Sequence, residues 1–207
     1  MYLSRILVDI NNRRAMQAMQ NPEILHGMVE NCFPGLKSRR LWRLDELRGQ
    51  TWLLVLSADK PDLKPLAVQV SAPDAIPETC DYQRLLDRIQ PGSIWRFRLR
   101  ANPVTSVPRP GEKRGTIKAV TIVDHQREWL ARKGERHGFL LTPGQYDVMR
   151  SEWLNFRNKG RNLSILSVTF EGTLTVTDAD LFRSALVEGI GRGKAYGMGM
   201  MTVISYG

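Results

Sequence analysis

Stretches with the two-residue period of a strand alternate along this chain with stretches of helical period, and they do so twice in one order. Residues 2–10 place Tyr2, Ile6, Val8 and Ile10 on one face, as a strand does. Asn21-Pro22 then opens a helix, with Asn as N-cap and Pro as first helical residue. Its apolar stripe is Leu25, Met28, Val29 and Cys32, and Pro34-Gly35 ends it. Strands over 41–44 and 52–57 follow, joined by a turn at Arg48-Gly49. Pro61, Pro65, Pro73 and Pro77 make 60–78 read as loop. A short helix over 82–89 stops at Pro91-Gly92, and a strand runs over 94–99 and on toward Val107. That order is β-α-β-β-α-β, the ferredoxin-like unit.

Pro108-Arg109-Pro110-Gly111 reads as a linker, after which the order repeats. A strand is expected over 116–123, a helix over 126–133 closed by Gly134, and a short strand over 138–141. An irregular stretch over 142–160 precedes a long strand over 163–176. A helix then starts after Thr177 with Asp178 and Asp180 in its first turn, and residues 202–205 close the sheet. The expected fold is therefore α+β, two tandem ferredoxin-like (RRM-like) βαββαβ domains. The first covers 1–107 and the second 108–207.

Charge narrows the function. Thirty Lys and Arg against 21 Asp and Glu leave a formal charge of +9, an excess that favours a polyanionic partner such as nucleic acid. It is clustered: Arg96, Arg98, Arg100, Arg109, Lys113, Arg114 and Lys118 share their stretch with one acid, Glu112. Arg150, Arg157, Lys159 and Arg161 make a second group, against Glu152. Patches of this kind suit phosphate contact. No apolar run approaches the roughly 20 residues of a membrane span, and Arg5 and Asp9 interrupt the N-terminal apolar stretch where a secretory signal would need continuity. A cytoplasmic protein without a membrane partner is expected. Cys32 and Cys80, far apart and outside any CxxC pattern, read as two buried, reduced thiols.

Few residues can do chemistry. His26, His125 and His137 are the only histidines, and their spacing to each other and to carboxylates matches no metal site. No cofactor or metal is expected. His125 and His137 lie near loop boundaries and read as structural or solvated. His26 lies about 100° round the helix from Leu25, at the edge of the apolar stripe. An imidazole there can transfer protons at neutral pH. RNA carries its own nucleophile in the 2′-hydroxyl, so one such group with cationic support can suffice for cleavage.

The segment from Gly189 to Gly199 holds dense glycine around Arg192 and Lys194. It fails the P-loop spacing, since Gly189 and Gly193 enclose three residues and Ala195 follows the lysine. Exposed N–H groups in such a run can cradle an RNA backbone; the structural alternative is a helix C-cap with a tight loop. Candidate RNA contacts here are Gly191, Arg192, Gly193, Lys194, Gly197 and Gly199. Arg39 and Arg40, ahead of the 41–44 strand, join them, as do Arg157, Lys159 and Arg161 at an expected hairpin tip. Tyr146 and Trp153 nearby read as either stacking or core residues.

Taken together, these motifs resemble the CasE family of CRISPR-associated endoribonucleases. The resemblance rests on the opening Met1-Tyr-Leu-Ser-Arg-Ile-Leu-Val-Asp9, Asn21-Pro22 with Leu25-His26, Phe33-Pro34 and Leu41-Trp-Arg-Leu-Asp45. Phe97-Arg-Leu-Arg-Ala-Asn-Pro103, Trp129-Leu-Ala-Arg-Lys133, Phe170-Glu-Gly172 and the glycine run extend it over nearly the whole chain. It implies two ferredoxin-like domains that bind the hairpin of a CRISPR repeat RNA and cut at the 3′ base of its stem without metal. It also implies a 5′-hydroxyl and a cyclic or 3′ phosphate, a retained crRNA, and assembly with the other Cascade subunits. The family's catalytic histidine matches His26, its glycine loop matches 191–199, and its basic hairpin matches the region of Arg157, Lys159 and Arg161. Some relatives carry Tyr three residues before the histidine, where this chain has Glu23. A non-catalytic RNA-hairpin-binding subunit of a ribonucleoprotein is the alternative that the same surface allows.

Overall fold

The computed structural model describes residues 1–35, 38–109, 111, 115–158 and 160–206. Strands β1 (Tyr2–Val8), β2 (Arg40–Leu47), β3 (Gln50–Ser57) and β4 (Glu78–Asp81) form one antiparallel sheet in the order β2-β3-β1-β4. Helices α1 (Arg13–Gln20) and α2 (Pro22–Glu30) connect β1 to β2, and α3 (Lys64–Val70) connects β3 to β4. Alternation decides which face each strand buries. Ile6, Val8, Trp42, Leu53 and Val55 pack under the helices with Ala15, Ala18, Leu25, Val29, Leu66 and Val70.

After the short α4 (Gln83–Leu86), β5 (Ile94–Ala101) begins a second sheet. A separate ribbon of β6 (Val104–Val107) and β7 (Thr116–Ala119) comes next. Then follow α5 (Val123–Arg136), β8 (Phe139–Leu140), β9 (Tyr146–Asn158), β10 (Arg161–Val176), α6 (Ala179–Glu188) and β11 (Met201–Ser205). The order is β11-β5-β10-β8, with β9 also paired to β10. Trp95, Phe97, Leu99 and Ala101 alternate inward on β5 and share a core with Trp129 and Leu130 of α5 and Phe182 and Leu186 of α6. Trp129 stacks on Phe170 with ring centroids 6.3 Å apart.

The intervening arginines of β5 face the first sheet. Arg43 of β2 is buried between the sheets and donates to the carbonyls of Arg98 and Met200 at 2.8 Å, to Thr202 Oγ1 at 2.7 Å and to both oxygens of Asp45. One guanidinium thus ties the two sheets together. Beside it opens a cleft of about 1390 Å³, lined from the first sheet by Leu3, Arg5 and Leu47 and from the second by Arg96, Glu171 and Ile204.

Several expectations needed correction. The strand at 94–101 does not close the first sheet; it pairs with β10 and β11. Residues 78–81 take the first sheet's edge instead, and all four are exposed, so they carry no apolar alternation to read. Helix α1 went unanticipated because it buries only Ala15 and Ala18. Proline did not prevent α3: Pro65 falls in its first turn, where a missing N–H costs no bond. The stretch expected to be irregular contains the thirteen-residue β9, which buries only Phe156. Gly134 does not end α5 but lies inside it, where a Cβ would sit 2.6 Å from the Phe139 carbonyl oxygen. The expected 116–123 strand is the shorter β7, paired with β6 alone. Cys32 is buried, whereas Cys80 is exposed; both are free thiols. Pro110 of the expected linker lies outside the described residues. No helix among the described residues is long and apolar enough to cross a membrane.

Candidate functional site

Helix α2 begins where the sequence places it. The Asn21 side chain accepts from the Glu23 N–H at 3.1 Å and Pro22 occupies the first turn. Leu25, Met28 and Val29 are buried, and His26 beside them is half-buried. Its Nδ1 is shut off from solvent with no hydrogen-bond partner among the described residues. A buried polar atom left unpaired costs about 1–3 kcal/mol.

Two elements flank this helix. The first is the glycine loop, whose single 3-10 turn, Lys194–Tyr196, packs on α2 and on β2. Gly197 has φ of 75°, and a Cβ there would lie 2.5 Å from the Trp42 ring. Trp42 belongs to the same core as Leu25 and Val29. The loop can therefore lie flat against the indole only because residue 197 has no side chain. Gly199 donates its N–H to the Arg100 carbonyl at 2.6 Å, and Arg192 forms an isolated bridge with Asn102. The N–H groups of Gly193, Lys194 and Ala195 have no acceptor among the described residues, whereas those of Tyr196, Gly197 and Met198 close back on the loop.

The second element is the β9–β10 hairpin, which also reaches α2. Asn158 donates to the Tyr196 hydroxyl at 2.7 Å, and the rings of Phe156 and Tyr196 lie 4.9 Å apart. Arg161 is the register partner of Asn158, so it shares that face. Arg157 pairs with Asn162 on the opposite face and donates to its side chain at 3.4 Å. Both arginines are exposed and neither meets an acid within the described residues. Lys159 lies outside the described residues.

The arginines before β2 serve differently. Arg40 has only 3% of its side chain exposed; it pairs with Glu30 of α2 and lies 4.3 Å over the Phe33 ring. It braces the histidine's helix instead of reaching outward as expected. Arg39 is exposed and paired with Glu188 at the end of α6. Of the other histidines, His125 is exposed and His137 caps α5. Tyr146 is half-buried and donates to the Arg127 carbonyl, while Trp153 is 50% exposed. Among the described residues, no three His, Cys, Asp or Glu side chains converge as a metal site would require.

The helix that carries His26, the glycine loop and the hairpin are therefore brought together from distant parts of the chain. Sequence reasoning did not find Trp42, Asn158 and Tyr196, which hold them in place. Leu41-Trp-Arg was visible as a motif, but its contact with Gly197 crosses from β2 to the loop and leaves no local signature.

Comparison with known proteins gives the site a setting. Residues 1–205 match the family described as CRISPR associated protein. The CRISPR-associated endoribonuclease Cse3 of Thermus thermophilus is 30% identical over 98% of this chain and 99% of its own length. The structure of Thermus thermophilus Cse3 bound to an RNA representing a pre-cleavage complex superposes with a TM-score of 0.84, at 27% identity over 98% of each chain. The CRISPR system Cascade subunit CasE of Escherichia coli is 28% identical over 56% of this chain and 60% of its own.

Proposed function

The chain belongs to the CRISPR associated protein family and is an endoribonuclease of the CasE kind, and from that premise we propose that it cuts CRISPR repeat RNA at the 3′ base of its hairpin without a metal and keeps the product. The observation that carries the reading is His26, half-buried with an Nδ1 unpartnered among the described residues, on a helix that packs against both the turn of the glycine loop and strand β9. Each half of the molecule is read as a ferredoxin-like unit, with the dividing line drawn before β5 so that β2-β3-β1-β4 and β11-β5-β10-β8 stand in equivalent order and β9 is added to the second sheet.

The chemistry needs little from the protein. The RNA 2′-oxygen attacks the adjacent phosphorus, the bond from phosphorus to the 5′-oxygen breaks, and a 2′,3′-cyclic phosphate and a 5′-hydroxyl result. One proton leaves the 2′-hydroxyl and one is added to the departing 5′-oxygen. His26 is the general acid or base for one of these transfers. A single imidazole cannot serve both within one concerted step, so water or a second group handles the other. Glu23 stands where some relatives carry tyrosine, so a tyrosine hydroxyl at that position is not the second group.

Binding falls to the cationic surroundings. Arg157 and Arg161 on the hairpin meet the stem phosphates, joined by Lys159, which lies between them in sequence, and by Arg39 ahead of β2. The free N–H groups at Gly193, Lys194 and Ala195, with Arg192 and Lys194, take the backbone at the cut. Gly191, Gly197 and Gly199 keep that loop low enough for a strand to pass. The partners are then crRNA and the other subunits of a Cascade assembly, as the name of the Escherichia coli relative suggests.

The test is cleavage of a repeat hairpin in EDTA. The unaltered protein should cut it, while His26→Ala and an RNA lacking the 2′-hydroxyl at the junction should each give binding without product. A requirement for magnesium would overturn the mechanism. Tight binding with no product from the unaltered protein would leave a hairpin-binding subunit instead.

A further inference from the structure

Behind the glycine loop the cations continue onto the end of α5, where Lys133, Arg136 and His137 have no part in the cleavage site and meet Lys194 and Arg39 at its border. Lys133 leaves the last turn of α5 with its Nζ 5.6 Å from the Trp129 ring centroid. Trp129 in turn supports Gly191, where a Cβ would lie 3.3 Å from the indole. Lys194 donates to the Gly191 carbonyl at 3.1 Å. Arg136 and His137 close the same end of α5, and Arg39 approaches Lys194 from the start of β2.

The five side chains act on one another. Burial and then its neighbours Lys133, Lys194 and Arg136 push the His137 pKa down. Burial and then Arg39 lower that of Lys194, and burial and then Arg136 lower that of Lys133. The acid that acts on Lys194, Glu188, is already held by Arg39. Lys133 and Lys194 are half-buried with Arg136 and Arg39 beside them; like charges so placed repel, and the repulsion is relieved when an anion enters. Elsewhere the molecule handles its arginines otherwise, matching Arg43, Arg98, Arg100 and Arg127 with carboxylates.

We propose that Lys133, Arg136, His137, Lys194 and Arg39 form a second RNA-backbone site, which takes the phosphates of the unpaired strand that continues from the hairpin. The inference rests on the reading of the preceding subsection and deepens it. The turn Lys194–Tyr196 joins the two places, because it packs on α2 at one side while Lys194 meets the α5 cluster at the other. A single strand leaving the site by His26 can thus run over the loop onto the end of α5. The cluster also gives a role to the Trp129-Leu-Ala-Arg-Lys133 motif, which the cleavage site leaves unused.

The experiment compares a hairpin alone with the same hairpin carrying an unpaired flank, each titrated against the full chain over a range of salt. Each single-strand phosphate contact contributes about 0.7 to the slope of log K against log salt. Lys133→Ala with Arg136→Ala should lower the slope on the flanked RNA by about 1.4, at roughly 0.7 for each lost contact. Affinity for the flanked RNA should fall severalfold, while affinity for the hairpin alone and the single-turnover cleavage rate of saturated flanked RNA stay as they were. Lys133→Arg with Arg136→Lys should restore the slope, which a merely structural role would not require. Equal losses on both RNAs, or none on either, would overturn the proposal. So would displacement of the flank by millimolar inorganic phosphate, which would make this a small-anion site. If the unaltered protein bound neither RNA, the hairpin reading itself would fall first.

Discussion

Arginines in the cleft between the sheets and arginines around the glycine loop live under different rules. In the cleft Arg5 meets Glu78, Arg43 meets Asp45, Arg98 meets Glu171 and Arg127 meets Asp147. Around the loop and hairpin, Arg157, Arg161 and Arg192 have no acid partner among the described residues, and Lys133 and Lys194 face other cations. A matched cation is satisfied within the fold and adds shape; an unmatched one keeps its field for something outside. The unmatched cations of the loop, the hairpin and the end of α5 are thus available to a polyanion.

The sharpest way to separate the two faces is to remove the imidazole. His26→Ala should lower single-turnover cleavage in EDTA by about 10²- to 10⁴-fold while hairpin affinity stays unchanged. A comparable loss of affinity would mean that His26 holds RNA instead of moving protons. Next in size is the cleft. Arg43→Ala leaves the buried Asp45 with only Arg98, 3.9 Å away, as a partner among the described residues, a loss of about 3 kcal/mol that thermal or urea unfolding should report. The salt dependence of RNA binding by the remaining folded protein should not change; a shallower slope would put Arg43 on the RNA and dissolve the distinction.

Gly197→Ala probes the seam between loop and β2. The added methyl meets Trp42 at 2.5 Å from a residue at φ of 75°, and a cost of about 1–3 kcal/mol is expected. Pairing it with Trp42→Phe should give less than the sum of the single losses, measured as a double-mutant cycle; full additivity would show that the indole is not what the glycine avoids. The smallest effects belong to single exposed cations. Arg157→Ala and Arg161→Ala should each reduce the salt slope of hairpin binding by about 0.7–0.9, whereas Arg98→Gln, taken from an ion pair with Glu171, should leave it alone. Equal responses from all three would erase the contrast between the faces.

Much of this was written locally. The strand at 2–8, the Asn21-Pro22 start of α2, the Arg48-Gly49 turn and the start of α6 after Thr177 could be read because each depends on neighbours in sequence. So could the place of His26 at the edge of a buried stripe, since helix geometry converts spacing into direction. The clustering of cations and the density of glycine pointed to RNA before any contact was known.

Partnership between distant segments was not written there. Whether residues 94–101 pair with the first sheet or the second depends on which strands lie free beside them, and both choices bury the same alternate side chains. Edge strand β4 and outlying β9 bury too little to leave a pattern, so their pairing is settled by backbone hydrogen bonds that any residue can make. Nor could spacing tell Arg40, spent on Glu30, from Arg161, left open to solvent. Local periodicity carries the identity of each element, because backbone geometry and burial act within a few residues. The match of charge to countercharge, and of Gly197 to Trp42, arises only when the chain has folded back on itself.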